Sequence, residues 1–104
     1  MKRYEVRLLP SALADIESIY LYVLEQSQNA AVAAGFTDRI VERVERIGDA
    51  PRGGAPRPDL GDGIRLVPFE RSAVIVYRVI DETVEVVNVF YGGRDYAALM
   101  GKEL

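Results

Sequence analysis

The period of the apolar positions changes along the chain, and those changes mark out its segments. Tyr4-Glu5-Val6-Arg7-Leu8-Leu9 alternates in part and predicts a short strand, closed by Pro10-Ser11. From there Leu13, Ile16, Ile19, Tyr20, Val23 and Leu24 recur at three- and four-residue spacing, the stripe of an amphipathic helix that fades at Gln26-Ser27-Gln28. Ser11 is the expected N-cap, with Pro10 the alternative as first helical residue. Asn29 should cap a second helix whose stripe runs through Ala33, Phe36, Ile40, Val44 and Ile47, with Val41 beside it. Gly35 costs that helix about 1 kcal/mol relative to alanine, which predicts a close helix–helix contact there. Gly48 is expected at the C′ position and Pro51 prevents continuation. A link this short predicts an antiparallel helical hairpin.

Residues 48–63 are dominated by Gly, Pro, Asp and Arg, as in Pro51-Arg52-Gly53-Gly54-Ala55-Pro56-Arg57-Pro58, and predict an exposed loop that contributes nothing to a core. Three strand-like runs follow. Ile64-Arg65-Leu66-Val67 should stop near Pro68, and the β-branched run Ser72–Ile80 suits a central strand. After the turn at Asp81-Glu82, Val84–Tyr91 returns, so short connections make the three an antiparallel meander. Beyond Gly92-Gly93, Asp95–Met100 could form a helical turn or two. The predicted order is β-α-α-β-β-β, an α+β fold in which one antiparallel sheet carries a helical hairpin on one face.

The length of 104 residues fits one domain over 1–104. Cysteine is absent, which removes disulfides, thiolate nucleophiles and Cys-based metal sites. Histidine is absent too, and with it the usual acid–base group near neutral pH and the commonest transition-metal ligand. No metal or cofactor is expected. A formal net charge of -3 argues against non-specific attraction to nucleic acid. Neither a leader nor a membrane-spanning stretch is visible, so a soluble, cytoplasmic protein without direct membrane binding is expected.

Candidate chemistry is confined to the second half. Strand alternation could bring Arg65, Arg78 and Arg94 together on the open face of the sheet, as a small cationic site for an acidic partner or an RNA phosphate. The plainer reading is solvated charge, with Arg94-Asp95 stabilising the C-terminal turn. Arg52 and Arg57 read as solubilising loop residues, Gly92-Gly93 as a turn and Tyr20 as core. Tyr91 and Tyr96 flank Gly92-Gly93-Arg94-Asp95 and could bind a partner or pack half-buried.

The order of elements resembles that of ParE-type toxins in the RelE/ParE superfamily. Further residues carry the likeness: Pro10, Ala12 and Asp15-Ile16 in the first helix, Gly63-Ile64-Arg65, Val74–Val79, and Val86–Asp95. It implies a toxin that inhibits DNA gyrase, has no turnover of its own and is neutralised by a ParD-like antitoxin, through which alone DNA would be contacted. Tyr91 stands where the family commonly has histidine. The sister RelE branch cuts mRNA on the ribosome with clustered basic residues. Arg65 and Arg94 match two of those positions, whereas Val67 and Val74 replace others. The resemblance therefore implies an inhibitor, with a RelE-type nuclease or a non-toxic antitoxin-binding relic as alternatives. Candidate binding residues are Arg65, Tyr91, Arg94, Asp95 and Tyr96, and no residue is assigned as catalytic.

Overall fold

The computed structural model describes residues 2–92. Within them the chain runs β1 (Glu5–Leu8), α1 (Pro10–Ser27), α2 (Ala30–Ile47), β2 (Ala55–Pro56), a 3-10 turn (Pro58–Leu60), β3 (Arg65–Phe69), β4 (Ala73–Ile80) and β5 (Thr83–Tyr91). The strands form one sheet in the order β1-β5-β4-β3-β2, and both helices pack on one face. The meander β3-β4-β5 is antiparallel, as its short turns predict. The sheet as a whole is mixed, however, because β1 joins β5 in parallel, Val6 opposite Val84. Alternation reveals a strand but not a partner that lies almost a whole chain length away.

The helices follow local chemistry closely. Asn29 Oδ1 accepts from the N–H groups of Ala31 and Val32 at 2.9 and 3.2 Å, the capping its residue type predicts. Along α2, Ala33, Phe36, Ile40, Val44 and Ile47 are all buried. Phe36, Ile40, Val44 and Ile47 meet Ile75, Tyr77, Val84 and Val86 of the sheet in a single cluster, each such large apolar side chain contributing roughly 1.5–3 kcal/mol by leaving water. On α1 the stripe is displaced from expectation: Ala12 and Ile19 are buried, whereas Leu13 is 54% exposed. Helix α1 begins at Pro10, not behind a Ser11 cap. Ser11 Oγ instead donates to the carbonyl of Val87.

Two glycines behave differently from their sequence reading. At Gly35 an added Cβ would meet only the Arg39 guanidinium, at 3.7 Å, so no helix presses against it. Gly48 keeps a right-handed helical conformation, φ −60°, and is required for another reason. A Cβ there would lie 2.6 Å from the Tyr4 carbonyl oxygen, while the Tyr4 N–H donates to the Gly48 carbonyl at 2.9 Å. This close approach docks the end of α2 against the residue preceding β1.

The segment 48–63 is also more ordered than its composition predicts. Ala55 and Pro56 pair with Leu66 and Arg65. Leu60 turns inward to join Ile64, Leu66, Val76 and Phe90 on the sheet face opposite the helices. That face is therefore partly covered by a small second core. Strand β3 continues through Pro68 because β2 pairs only with Arg65 and Leu66, so the proline lies past the end of that ladder. The anticipated helical turn at Asp95–Met100 lies outside the described residues.

Candidate functional site

Arg65 and Arg78 do not share a face. Arg65 stands opposite Tyr77 in the β3–β4 register, on the helix side of the sheet. Arg78, next along β4, projects from the other face and pairs with Glu85 at 3.0 Å. The predicted cationic cluster is thus divided by the sheet itself. Arg94, Asp95 and Tyr96 lie outside the described residues.

Arg65 turns out to serve the backbone. Its Nη1 donates to the carbonyls of Arg52 and Gly54 at 3.0 and 2.7 Å. Beside it the buried Tyr77 hydroxyl donates to the Pro51 carbonyl at 2.8 Å and accepts from the Gly54 N–H at 2.9 Å. Glycine is needed at 54 because a Cβ would come within 2.5 Å of that hydroxyl. These bonds tie the 51–55 segment to the sheet. Arg52, read as solubilising, lies 5.8 Å over the Tyr4 ring and donates to its hydroxyl at 3.2 Å. The hydroxyl's hydrogen bond raises the guanidinium pKa above its ordinary value. Arg57 chelates Asp59 at 2.8 Å and holds that carboxyl below the usual carboxylate range.

Tyr91 lies at the other end of β4, opposite Ala73. Since Arg65 pairs with Tyr77, the two candidates are separated by about 13 Å along the strand at ~3.3 Å per residue. The Tyr91 ring packs edge-on against Phe36 at 5.4 Å and against Tyr22 at 5.5 Å. It is half-buried and also borders a cavity of about 290 Å³ between α1 and the end of β5.

The floor of that cavity comes from an interruption in strand pairing. β1 covers β5 only from Thr83 to Val86, and the Leu9 N–H closes the ladder on the Val86 carbonyl at 3.0 Å. Beyond this point α1 supplies the partners through its side chains. Ser11 takes the Val87 carbonyl, and Asp15 Oδ2 accepts from the Val89 N–H and from Asn88 Nδ2, each at 2.9 Å. Asn88 stands opposite Val76, just past a register shift in the β4–β5 ladder, and its Oδ1 is buried without a partner among the described residues. Past Asp15 the walls diverge, and Ser18, Ile19 and Tyr22 face Val89, Tyr91 and Gly92 across the opening. The sequence did contain a signal for this site: Ala12, Asp15 and Ile19 lie three and four residues apart, which puts an acid within the buried stripe.

Among the described residues, the basic groups that RelE-type chemistry would use are not gathered in either place. Val67 is buried under the helices and Val74 packs on the second core. Among the described residues no three acidic side chains converge as they would around a metal ion, and no helix is long and apolar enough to cross a membrane.

A five-stranded mixed sheet carrying a helical hairpin on one face has the layout of a RelE/ParE-like scaffold. Residues 6–96 match the model of the family described as ParE toxin of type II toxin–antitoxin system, parDE, and the chain belongs to that family. Comparison with characterised proteins by sequence finds no match. Among solved structures, a chain of the chromosomal ParDE toxin–antitoxin system from P. aeruginosa superposes with a TM-score of 0.75 at 22% identity, covering 86% of this chain and 97% of that one. A chain of the toxin–antitoxin complex RelBE2 from Mycobacterium tuberculosis gives a TM-score of 0.63 at 22% identity, covering 90% and 97%. At such identity these likenesses concern the fold.

Proposed function

We propose that this ParE-family toxin acts as a single domain over 1–104 in the cytoplasm, by binding and without turnover, with DNA gyrase as target and a ParD-like antitoxin as its neutralising partner. The observation that carries the reading is the state of Arg65. Its guanidinium is engaged by two backbone carbonyls of its own chain, and the neighbouring positions that RelE-type chemistry would need as bases are buried or packed valines. Phosphoryl transfer depends on cations free to meet developing charge. Association of the two superposed folds with toxin–antitoxin systems supports the antitoxin partner.

Purified toxin should inhibit supercoiling by gyrase, and co-expression of the adjacent antitoxin should lift the inhibition. Unaltered supercoiling at stoichiometric excess would remove gyrase as the target. The RelBE2 likeness keeps a second reading, ribosome-dependent mRNA cleavage. Primer extension on a translating message separates the two: new 5′ ends appear only under the nuclease reading. Growth unaffected by induction would leave the chain as an antitoxin-binding relic.

A further inference from the structure

The cavity between α1 and the end of β5 has a definite chemical character. Its carboxylate, Asp15, spends Oδ2 on the Val89 N–H and Asn88 Nδ2, while Oδ1 takes no hydrogen bond among the described residues. Among the described residues no cation pairs with Asp15. Aromatic rings line the cavity from both sides, Tyr22 from α1 and Tyr91 from β5, 5.5 Å apart at 62°. An anchored carboxylate beside aromatic faces suits a planar cation, which can stack on the rings and donate to the oxygen together.

Helix α1 as a whole extends that preference. Helix α1 carries Asp15, Glu17 and Glu25 but no lysine or arginine along its whole length. Interspersed with those acids, Leu13, Leu21 and Tyr22 are 54%, 55% and 50% exposed. Side chains this large left in water on one helix mark a surface that is covered in use, and the acids make its complement basic.

We propose that this cavity receives the guanidinium of an arginine carried by the polypeptide segment that covers α1. That the segment belongs to the antitoxin rests on the function proposed above; the character of the cavity does not. The guanidinium donates to Asp15 Oδ1 and lies against Tyr22.

The test is an NMR titration of the isolated toxin with N-acetyl-arginine-N-methylamide, following the Val89, Tyr91 and Gly92 amides. The citrulline analogue, which has the same shape without the charge, serves as control. Saturable shifts of these amides are expected, with citrulline weaker by about tenfold or more. Asp15→Asn can keep its oxygen toward Val89 and Asn88 while putting an NH₂ group where Oδ1 stood, so it should fold and lose the arginine response. Ser18→Lys, at an exposed rim position, sets a competing ammonium over the opening and should do the same without touching the internal bonds. Equal binding of citrulline, or an unchanged response in both variants, overturns the proposal. So does a response seen only in Arg94→Ala, which would mean that the chain fills the cavity itself. In the copurified complex the probe should no longer bind, and a complex that still binds it overturns the antitoxin as the source. Gyrase inhibition is read separately, so either result can fail while the other stands.

Discussion

The corner around Arg65 and the cavity around Asp15 lie at opposite ends of β4 and use their polar groups in opposite ways. At the corner the basic side chain and the tyrosine hydroxyl are satisfied by backbone of the same chain: Arg65 on two carbonyls, Tyr77 on Pro51 and Gly54. In the cavity an acid completes a strand edge with one oxygen and, among the described residues, leaves the other without a bond, next to a half-exposed aromatic ring. The contrast shows that a residue's charge is a poor guide to its role until its bonds have been counted. A cation with its donors engaged holds the fold, whereas a carboxylate with an acceptor left over can recognise something else.

The strongest way to break the comparison is to unlock the corner. Tyr77→Phe strands the buried Gly54 N–H and the Pro51 carbonyl while keeping the ring in the core. Leaving buried groups unpaired should cost about 1–3 kcal/mol. Urea denaturation should show a lower midpoint with an unchanged slope, and limited proteolysis should cut sooner within 51–57. If stability holds and the segment stays protected, the corner is not the fastening described.

A paired substitution sharpens the contrast. Arg65→Ala removes bonds to Arg52 and Gly54 but touches no cavity residue. It should lower stability by about 1 kcal/mol, discounted for its partial exposure, and leave antitoxin affinity unchanged once the protein is folded. Tyr22→Ala should do the reverse. Stability should shift by less than about 1 kcal/mol, while antitoxin affinity falls about tenfold or more. Calorimetric binding beside thermal melts reads both. An affinity loss in Arg65→Ala as large as that in Tyr22→Ala would erase the distinction between the two ends.

How much of this was legible in the sequence depends on the distance over which each feature is decided. Asn29 as a cap, the α2 stripe and the meander are local, and all stood in the pattern of residues. The parallel seam of β1 with β5 was not legible, because nothing within a few residues of Val6 specifies Val84 as its neighbour. Leu60 was hidden by its company: a single leucine among Pro, Gly and Asp gives no periodicity, yet it caps the second core. Arg65 stood out as a candidate binding residue, but its partners are backbone carbonyls that no residue pattern encodes. Asp15 carried the family likeness but lay outside the expected stripe, and its bond to β5 needed the fold.

The smallest expected effect comes from an ion pair belonging to neither region. Glu70 and Arg71 form the β3–β4 turn with φ of 46° and 60°, a left-handed pair that side chains other than glycine adopt at a cost. Arg39 holds the turn to α2, donating from Nε and Nη2 to Glu70 at 2.8 and 3.1 Å. This hydrogen bonding keeps the Glu70 carboxyl below its ordinary value of 4.5. A carboxyl whose pKa is lowered by folding adds stability above its unfolded value, and that contribution disappears as pH falls through the folded one. Wild type should therefore melt above Glu70→Gln at neutral pH, with the gap closing below about pH 4. Both side chains are substantially exposed, so the gap should be small and shrink further in high salt. A gap that persisted at low pH would show that the glutamine disturbs the strained turn itself, and that loss of the ion pair is not the cause.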